Sequence, residues 1–133
     1  DLATSLGAVA LRGEVAAVRL DTPESLTELF GDRQWGAHVD ASVPVWRPRM
    51  FGLRDAVVSA VMRAEYVDYN VGTFASTSRP IRDDVLAFVP GVTFRPVPGT
   101  VFKFNYRRQW TRDLLGNPAA RLGGYQVGVA TYF

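Results

Sequence analysis

The chain has 133 residues, of which 47% are hydrophobic and 21% charged, and its formal net charge is +2. This balance fits one folded domain and excludes a disordered chain, which would be poor in apolar residues. The lack of cysteine excludes disulfides and thiolate metal sites, and a single histidine, His38, excludes a multi-histidine metal centre. The small net charge argues against a nucleic-acid partner, and we expect no metal and no cofactor.

Six segments alternate between apolar and polar residues with a period of two, the spacing at which neighbouring side chains of a strand point to opposite faces. In chain order they cover residues 7–20, 35–46, 56–69, 85–95, 100–109 and 124–133. The fifth is the sharpest, because Phe102, Phe104 and Tyr106 alternate with polar residues. Pro44 and Pro90 lie inside segments and each removes a ladder donor, so we expect bulges or strand ends there.

The connections between these segments alternate in length. Residues 21–34, 70–84 and 110–123 form long polar loops, residues 97–99 form a short turn, and residues 47–55 form an intermediate link. This order predicts an up-and-down antiparallel barrel with loops at one rim and turns at the other. The sequence contains no run of about 18 apolar residues, so it predicts no transmembrane helix.

Two features favour a membrane over water as the surroundings of the apolar face. Segments of about ten residues, tilted near 45°, span a hydrocarbon core, whereas soluble strands are usually about half as long. Aromatic residues also gather near the segment ends, as in the two interfacial girdles of outer-membrane barrels. The predicted membrane-interface aromatics are Trp35, Trp46, Tyr69, Trp110, Tyr125 and Phe133. A soluble β-barrel or sandwich with aromatic residues around its core is the alternative.

Six strands cannot close a barrel in lipid, because the edge backbone groups would lack partners and eight strands are the usual minimum. The chain starts at Asp1 without an initiator methionine or a signal peptide. We therefore predict an all-β fold in which residues 1–133 form a single β-barrel segment of about six strands. This segment would be the C-terminal part of a longer chain.

Three runs in the second half of the chain resemble the last strands of the phosphate-selective porins of the O and P type. They are residues 63–68 (RAEYVD), 91–96 (GVTFRP) and 102–106 (FKFNY). The end of the chain is similar to the C-terminal signature of outer-membrane proteins, with Phe133 last and Val127 and Val129 at alternate positions. It departs from that pattern at Thr131, where an aromatic residue is usual and Tyr132 carries it instead.

The resemblance implies a location in a bacterial-type outer membrane, contact with its lipid, and recognition of the C-terminal strand by the barrel-assembly machinery. It also makes a homotrimer one expected assembly. The function it implies is that of a porin-like channel for passive diffusion of small solutes, and not that of an enzyme. Two alternatives stay open: a barrel that anchors or scaffolds partner proteins, and a soluble β-barrel that binds a ligand inside.

The polar faces of the segments supply the candidate pore-lining residues. They are Arg12, Glu14, His38, Asp40, Arg63, Glu65, Arg95, Lys103 and Arg107. Five permanent cations against three carboxylates predict a weak preference for anions, with a basic ladder of Arg63, Arg95, Lys103 and Arg107. In the alternative interpretation, these cations pair with Glu14, Asp40 and Glu65 across strands.

Two further arrangements carry weaker signals. His38 and Asp40 share a face as a catalytic pair would, but no serine or cysteine nucleophile stands in a recognisable motif beside them. The loop run 76–78 with Arg79 and Arg82 has groups that could hold a phosphate, although a solvated loop explains it as well.

Overall fold

A computed structural model of the chain describes residues 1–23, 26, 30–49, 52–74 and 76–132. The fold is all-β, with seven strands in one sheet whose spatial order is the chain order. The strands are β1 (Leu2–Leu6), β2 (Val9–Arg19), β3 (Arg33–Trp46), β4 (Val57–Val71), β5 (Asp84–Val97), β6 (Thr100–Arg112) and β7 (Ala120–Thr131). Each strand pairs antiparallel with the next, so the predicted up-and-down topology is confirmed. No helix suited to crossing a membrane occurs in the part of the chain just given.

The strand count is seven rather than the predicted six, because the first segment is preceded by a short strand. Residues Leu2 to Leu6 of β1 pair with β2 through a tight turn in which Gly7 has φ +61°. Glycine adopts this left-handed conformation without steric cost, and a two-residue turn of this kind suits a hairpin. The turn lies at the same rim as the 98–99 turn, so the predicted alternation of loops and turns holds.

The predicted loop 110–123 was placed wrongly at both ends. β6 continues to Arg112 and β7 begins at Ala120, with Trp110 paired to Arg121 and Thr111 to Ala120. Backbone N–H and C=O groups form a ladder whatever side chains the residues carry, so the strands extend beyond their regular apolar alternation. The loop that is left, residues 113–119, turns on Asp113, whose Oδ1 accepts the backbone N–H of Leu115 at 3.1 Å.

The two prolines behave differently. Pro44 lies at a register shift between β3 and β4, as expected for a residue that cannot donate to the ladder. Pro90 pairs with Met62 of β4 without any shift. On its other side the pairing of β5 to β6 omits Val89 and Pro90, and the register before and after the gap is unchanged. The strand therefore tolerates this proline by losing contacts with one neighbour alone.

The sheet has one polar and one apolar face. Strand β5 shows the contrast: Ala87 and Val89 on the polar face are 0% and 7% exposed, whereas Phe88 and Val92 on the apolar face are 36% and 45% exposed. Small side chains on the polar face are covered by the long charged ones around them. In the described part of the chain nothing is packed over the aromatic and aliphatic side chains of the other face, which include Val39, Phe102, Phe104, Tyr125 and Val127.

The sheet curls toward its polar face and is not closed. Residues of β3 and β7 line one common hollow, although four strand spacings of a flat sheet would separate them by about 19 Å. The edge strands are β1 and β7, and no pairing between them exists among the described residues. Both edges therefore present unpaired backbone groups of the kind that template further strands.

Candidate functional site

The strand register places the predicted pore-lining residues on the polar face. In β2, β3 and β4 they form two rows across the sheet. Glu14 lies opposite His38, which lies opposite Glu65. Arg12 lies opposite Asp40, which lies opposite Arg63. Cross-strand partners share a face, so these two rows stand side by side on one wall.

The three remaining candidates lie on β5 and β6. Lys103 is opposite Thr93 and Gly128, and Arg107 is opposite Gly124. Arg95 is opposite Val57 near the short-turn rim. The glycines opposite Lys103 and Arg107 leave the space beside those two cations open on the β7 side.

Two of the cations form close ion pairs across strands. The Arg63 guanidinium donates to both oxygens of Asp40, from Nε at 2.7 Å and from Nη2 at 2.8 Å, in a bidentate geometry. Arg107 pairs with Glu65 through Nη2 and donates from Nε to the Gln109 side chain at 2.7 Å. The pairing interpretation is correct for these two cations, and a ladder of four equivalent cations is not what the structure forms.

The charges outside these pairs decide the net field of the wall. Among the described residues, Arg12, Arg95 and Lys103 have no carboxylate within ion-pair distance, and Glu14 has no cation within it. Three cations against one carboxylate leave a positive excess. Arg12 and Glu14 balance one another on β2, so the excess lies with Arg95 on β5 and Lys103 on β6.

Neutral polar residues that the charge pattern did not single out complete the wall. A hollow of about 390 Å³ on the polar face is lined by residues of β3 to β7, among them Arg63, Thr93, Lys103, Asn105 and Gln126. Asn105 and Gln126 are opposite one another and lie on the same alternation as Lys103 and Arg107. The alternation of the two strands could have predicted Asn105 and Gln126 as residues of the wall, but the sequence analysis considered charged residues alone.

A second hollow, of about 370 Å³, lies against β2, β3 and β4. Glu14, His38, Glu65 and Tyr69 line it, over the small residues Ala16 and Gly36. Tyr69 was predicted as a membrane-interface aromatic, but it lies on the polar side of the sheet. The regular alternation of β4 puts it there, because Tyr69 follows Glu65 and Val67 at steps of two residues.

His38 and Asp40 are brought together, with His38 Nε2 3.7 Å from Asp40 Oδ2. Both oxygens of Asp40 already accept from Arg63. The carboxylate is therefore held by the arginine more closely than by the imidazole. No group of three or more metal-ligating side chains occurs in the described ranges.

The apolar face carries an array of aromatic rings in mutual contact. Ring centroids are 5.2 Å apart for Trp35 and Tyr66, 6.1 Å for Phe88 and Trp110, 6.3 Å for Phe94 and Phe102, and 5.7 Å for Phe104 and Tyr125. Trp35 and Trp110 lie near the long-loop rim. Trp46, opposite Val58, lies at the short-turn rim.

A further predicted interface aromatic, Tyr125, does not lie at a rim of this face. Tyr125 lies at the middle of β7, opposite Tyr106, because β7 begins at Ala120 and not at residue 124 as predicted. Phe133 lies outside the described residues. At the short-turn rim of this face, Phe94 on β5 lies opposite Phe102 on β6.

Charged residues at the long-loop rim of the apolar face were missed by the sequence reasoning. Asp84 is 5% exposed and accepts from Arg112 at 2.8 and 2.6 Å, and the Tyr66 hydroxyl lies 3.3 Å from it. Arg108 lies over the ring of Trp110, with Cζ 5.7 Å from the ring centroid. The alternation of β6 puts Arg108 and Arg112 on the same face as its aromatic residues, so the sequence could have predicted their place.

The loop run 76–78 forms a tight turn rather than a cradle. The Phe74 N–H donates to the Arg79 carbonyl at 2.9 Å, and the Arg79 N–H donates to the Thr77 hydroxyl at 3.4 Å. Arg79 and Arg82 line a hollow between this loop and the 113–119 loop, together with Arg112. The hydroxyl of Thr77 is therefore engaged with the backbone of its own turn.

Comparison with known proteins adds no identification, because no family model, no curated protein and no solved structure matches the chain. The resemblance to the phosphate-selective porins stays a prediction.

Proposed function

We propose that this sheet is a sector of a transmembrane β-barrel of the bacterial outer-membrane type, and that the barrel is a porin-like channel for passive diffusion of small solutes. Its apolar face meets lipid and its polar face lines enclosed water. The observation that carries the proposal is the division of the faces. Seven of the nine candidate pore-lining side chains line the hollows on the side toward which the sheet curls, while the aromatic side chains lie exposed on the other side.

The extent of the exposed apolar face supports a lipid environment. Val39 and Phe104 are 54% and 52% exposed, and Val127 is 78% exposed, on three strands of the same face. Soluble monomers rarely expose contiguous apolar patches larger than a few hundred Å². In the soluble alternative this face would be the packed interior, and in the curled sheet it is the outer side.

Strand length supports the same conclusion. Strands β3 to β6 have 13 to 15 residues. At a rise of about 3.3 Å per residue and a tilt near 45°, 14 residues reach about 33 Å in depth, enough to cross an apolar band of about 25–30 Å.

The polar wall favours anions weakly. Two ion pairs cancel in the field, which leaves Arg12, Arg95 and Lys103 against Glu14. Rings and patches of fixed charge on a narrow wall attract the opposite ion. Lys103 is the most suitable residue for testing this preference, because it lines the hollow of about 390 Å³ without a carboxylate partner in the described part of the chain.

The test is the reversal potential in planar lipid bilayers under a salt gradient. Lys103→Gln should lower the anion-to-cation permeability ratio. The matched control is Asp40→Asn with Arg63→Gln, which removes a whole ion pair and leaves the net charge unchanged, so its ratio should stay at the original value. Equal ratios for all three proteins would contradict the selectivity, and absence of conductance in a correctly inserted barrel would favour the anchor or scaffold function.

A further inference from the structure

Arginines on the apolar face have no evident role in a channel, since they point away from the polar wall. Arg108 is opposite Phe88 and Gly123, and Arg121 is opposite Trp110. Both therefore lie on the face that holds the aromatic array. In the described part of the chain, neither has a carboxylate within ion-pair distance.

The other charges of this region are already matched. Arg112 lies two residues beyond Trp110 toward the rim, and its guanidinium donates to the carboxylate of Asp84. At the neighbouring corner of the same face, Arg19 and Arg33 both pair with Asp32. Arg108 and Arg121 are thus the cations of this face that still lack an anion among the described residues.

The two arginines are close enough to share one ligand. They occupy diagonal positions on β6 and β7, which places such residues about 7–8 Å apart across an antiparallel pair. Gly123, opposite Arg108 and two residues after Arg121, contributes no side chain, and the Tyr106 hydroxyl lies over it, 2.5 Å from where a Cβ would stand. Two guanidinium groups and a phenol therefore border one spot, and Trp110 holds the Arg108 guanidinium over its ring.

The depth of the spot fits the headgroup region of a bilayer. Arg108 lies four residues before the end of β6, which is about 13 Å along the strand and about 9 Å in depth at a tilt near 45°. The long arginine side chain reaches toward the interface from such a depth. The anion most available there is the phosphate of a lipid, and arginine binds phosphate in a bidentate geometry.

We infer that Arg108, Arg121 and Trp110 form a binding site for the phosphate of an anionic lipid headgroup, on the lipid-facing side of the barrel near its long-loop rim. The inference rests on the proposed function for its membrane placement. The inference adds to the proposed function a partner, the anionic lipid, and the place on the barrel where that lipid binds.

The experiment uses Trp110 as the reporter. The chain has three tryptophans, so Trp35→Phe with Trp46→Phe leaves Trp110 alone. The complete barrel that contains this sector, with Trp110 as its single tryptophan, is refolded into phosphatidylcholine vesicles that contain a fixed fraction of lipid with brominated acyl chains, either phosphatidylglycerol or phosphatidylcholine. Quenching of Trp110 then reports the relative association of each lipid with this site.

The expected result is an association about five-fold or more in favour of brominated phosphatidylglycerol. Arg108→Gln with Arg121→Gln should abolish the preference, and the two Lys substitutions should keep part of it, because lysine retains the charge but not the bidentate geometry. Arg19→Gln is the matched control, since Arg19 lies on the same face and rim but has Asp32 as its partner. It should keep the full preference.

Equal quenching by the two brominated lipids in an inserted protein would overturn the site and leave the proposed function untouched. A preference that survives the double Gln variant, or that Arg19→Gln abolishes equally, would also overturn it. Failure of the complete barrel to enter either vesicle would contradict the proposed function and the site with it. The comparison of the two lipids with unaltered arginines is decisive even if the double variant does not fold.

Discussion

Two neighbouring residues of β7 distinguish a lipid-facing side from a water-facing one. Val127 lies on the apolar face and is 78% exposed, while Gln126 lies on the polar face and is also exposed. We expect Val127→Arg to lower the free energy of unfolding by about 2–4 kcal/mol, the cost of a cation near the middle of the lipid face of a barrel. Gln126→Arg, one residue away on the same strand, should change it by less than about 0.5 kcal/mol.

The size of this difference is what makes it informative. At 78% exposure, Val127 loses little packing when it is replaced, so a protein surrounded by water on this face should tolerate arginine at both positions. A cost of 2–4 kcal/mol corresponds to a factor of roughly 30 to 1,000 in the folded-to-unfolded ratio. Urea unfolding in lipid vesicles, followed by tryptophan fluorescence, measures both variants. Costs that agree within about 0.5 kcal/mol would refute the reasoning.

Three other changes test particular contacts. Gly91→Ala should destabilise the sheet by about 1–3 kcal/mol, because the new Cβ would stand 2.7 Å from the Phe104 carbonyl; urea unfolding measures this. Arg112→Ala should cost about 1–3 kcal/mol in the same assay, because it leaves the carboxylate of Asp84, 5% exposed, without its cation. Burial and nearby carboxylates raise the pKa of Asp83, so stability falls as pH rises through that pKa. Asp83→Asn should therefore raise the melting temperature at pH 7 and leave it unchanged below the ordinary pKa of 3.8.

Each of these three has an outcome that would contradict it. Unchanged unfolding of Gly91→Ala would mean that the strands separate easily at that point. No loss of stability in Arg112→Ala would mean that Asp84 is solvated or neutral. A melting temperature of Asp83→Asn that follows the unaltered protein at every pH would show that the carboxylate is not destabilised in the folded state.

The sequence predicted the topology because period-two alternation and loop length are local properties. Segment by segment, the side chains of β3 to β6 lie on the faces that the alternation indicated. The first strand was missed because Leu2–Leu6 is short and half polar, so its pattern is too brief to stand out. The start of β7 was missed because residues 120–123 lack alternation, and it is the ladder with β6 that makes them a strand.

The sequence predicted which residues lie on the polar face, but not which of them form ion pairs with one another. Alternation placed Arg63 and Arg107 on the polar face, but it could not say which carboxylate each would meet. That choice depends on register, which sets Asp40 opposite Arg63 and leaves Lys103 opposite Thr93. Tyr69 shows a different error, because it was assigned to the membrane interface from its place near the end of β4, although the alternation with Arg63 and Glu65 puts it on the polar face.

The central claim, that the apolar face meets lipid and the polar face meets water, is tested most directly by scanning β7 with a spin label. The chain contains no cysteine, so single cysteines from residue 122 to 129 can each be labelled without background. Accessibility to oxygen, which partitions into lipid, is compared with accessibility to a water-soluble nickel chelate. We predict opposite oscillations with a period of two, in which Tyr125, Val127 and Val129 favour oxygen and Gly124, Gln126 and Gly128 favour the chelate. Equal access of the chelate to both sets, or the inverse pattern, would contradict the claim.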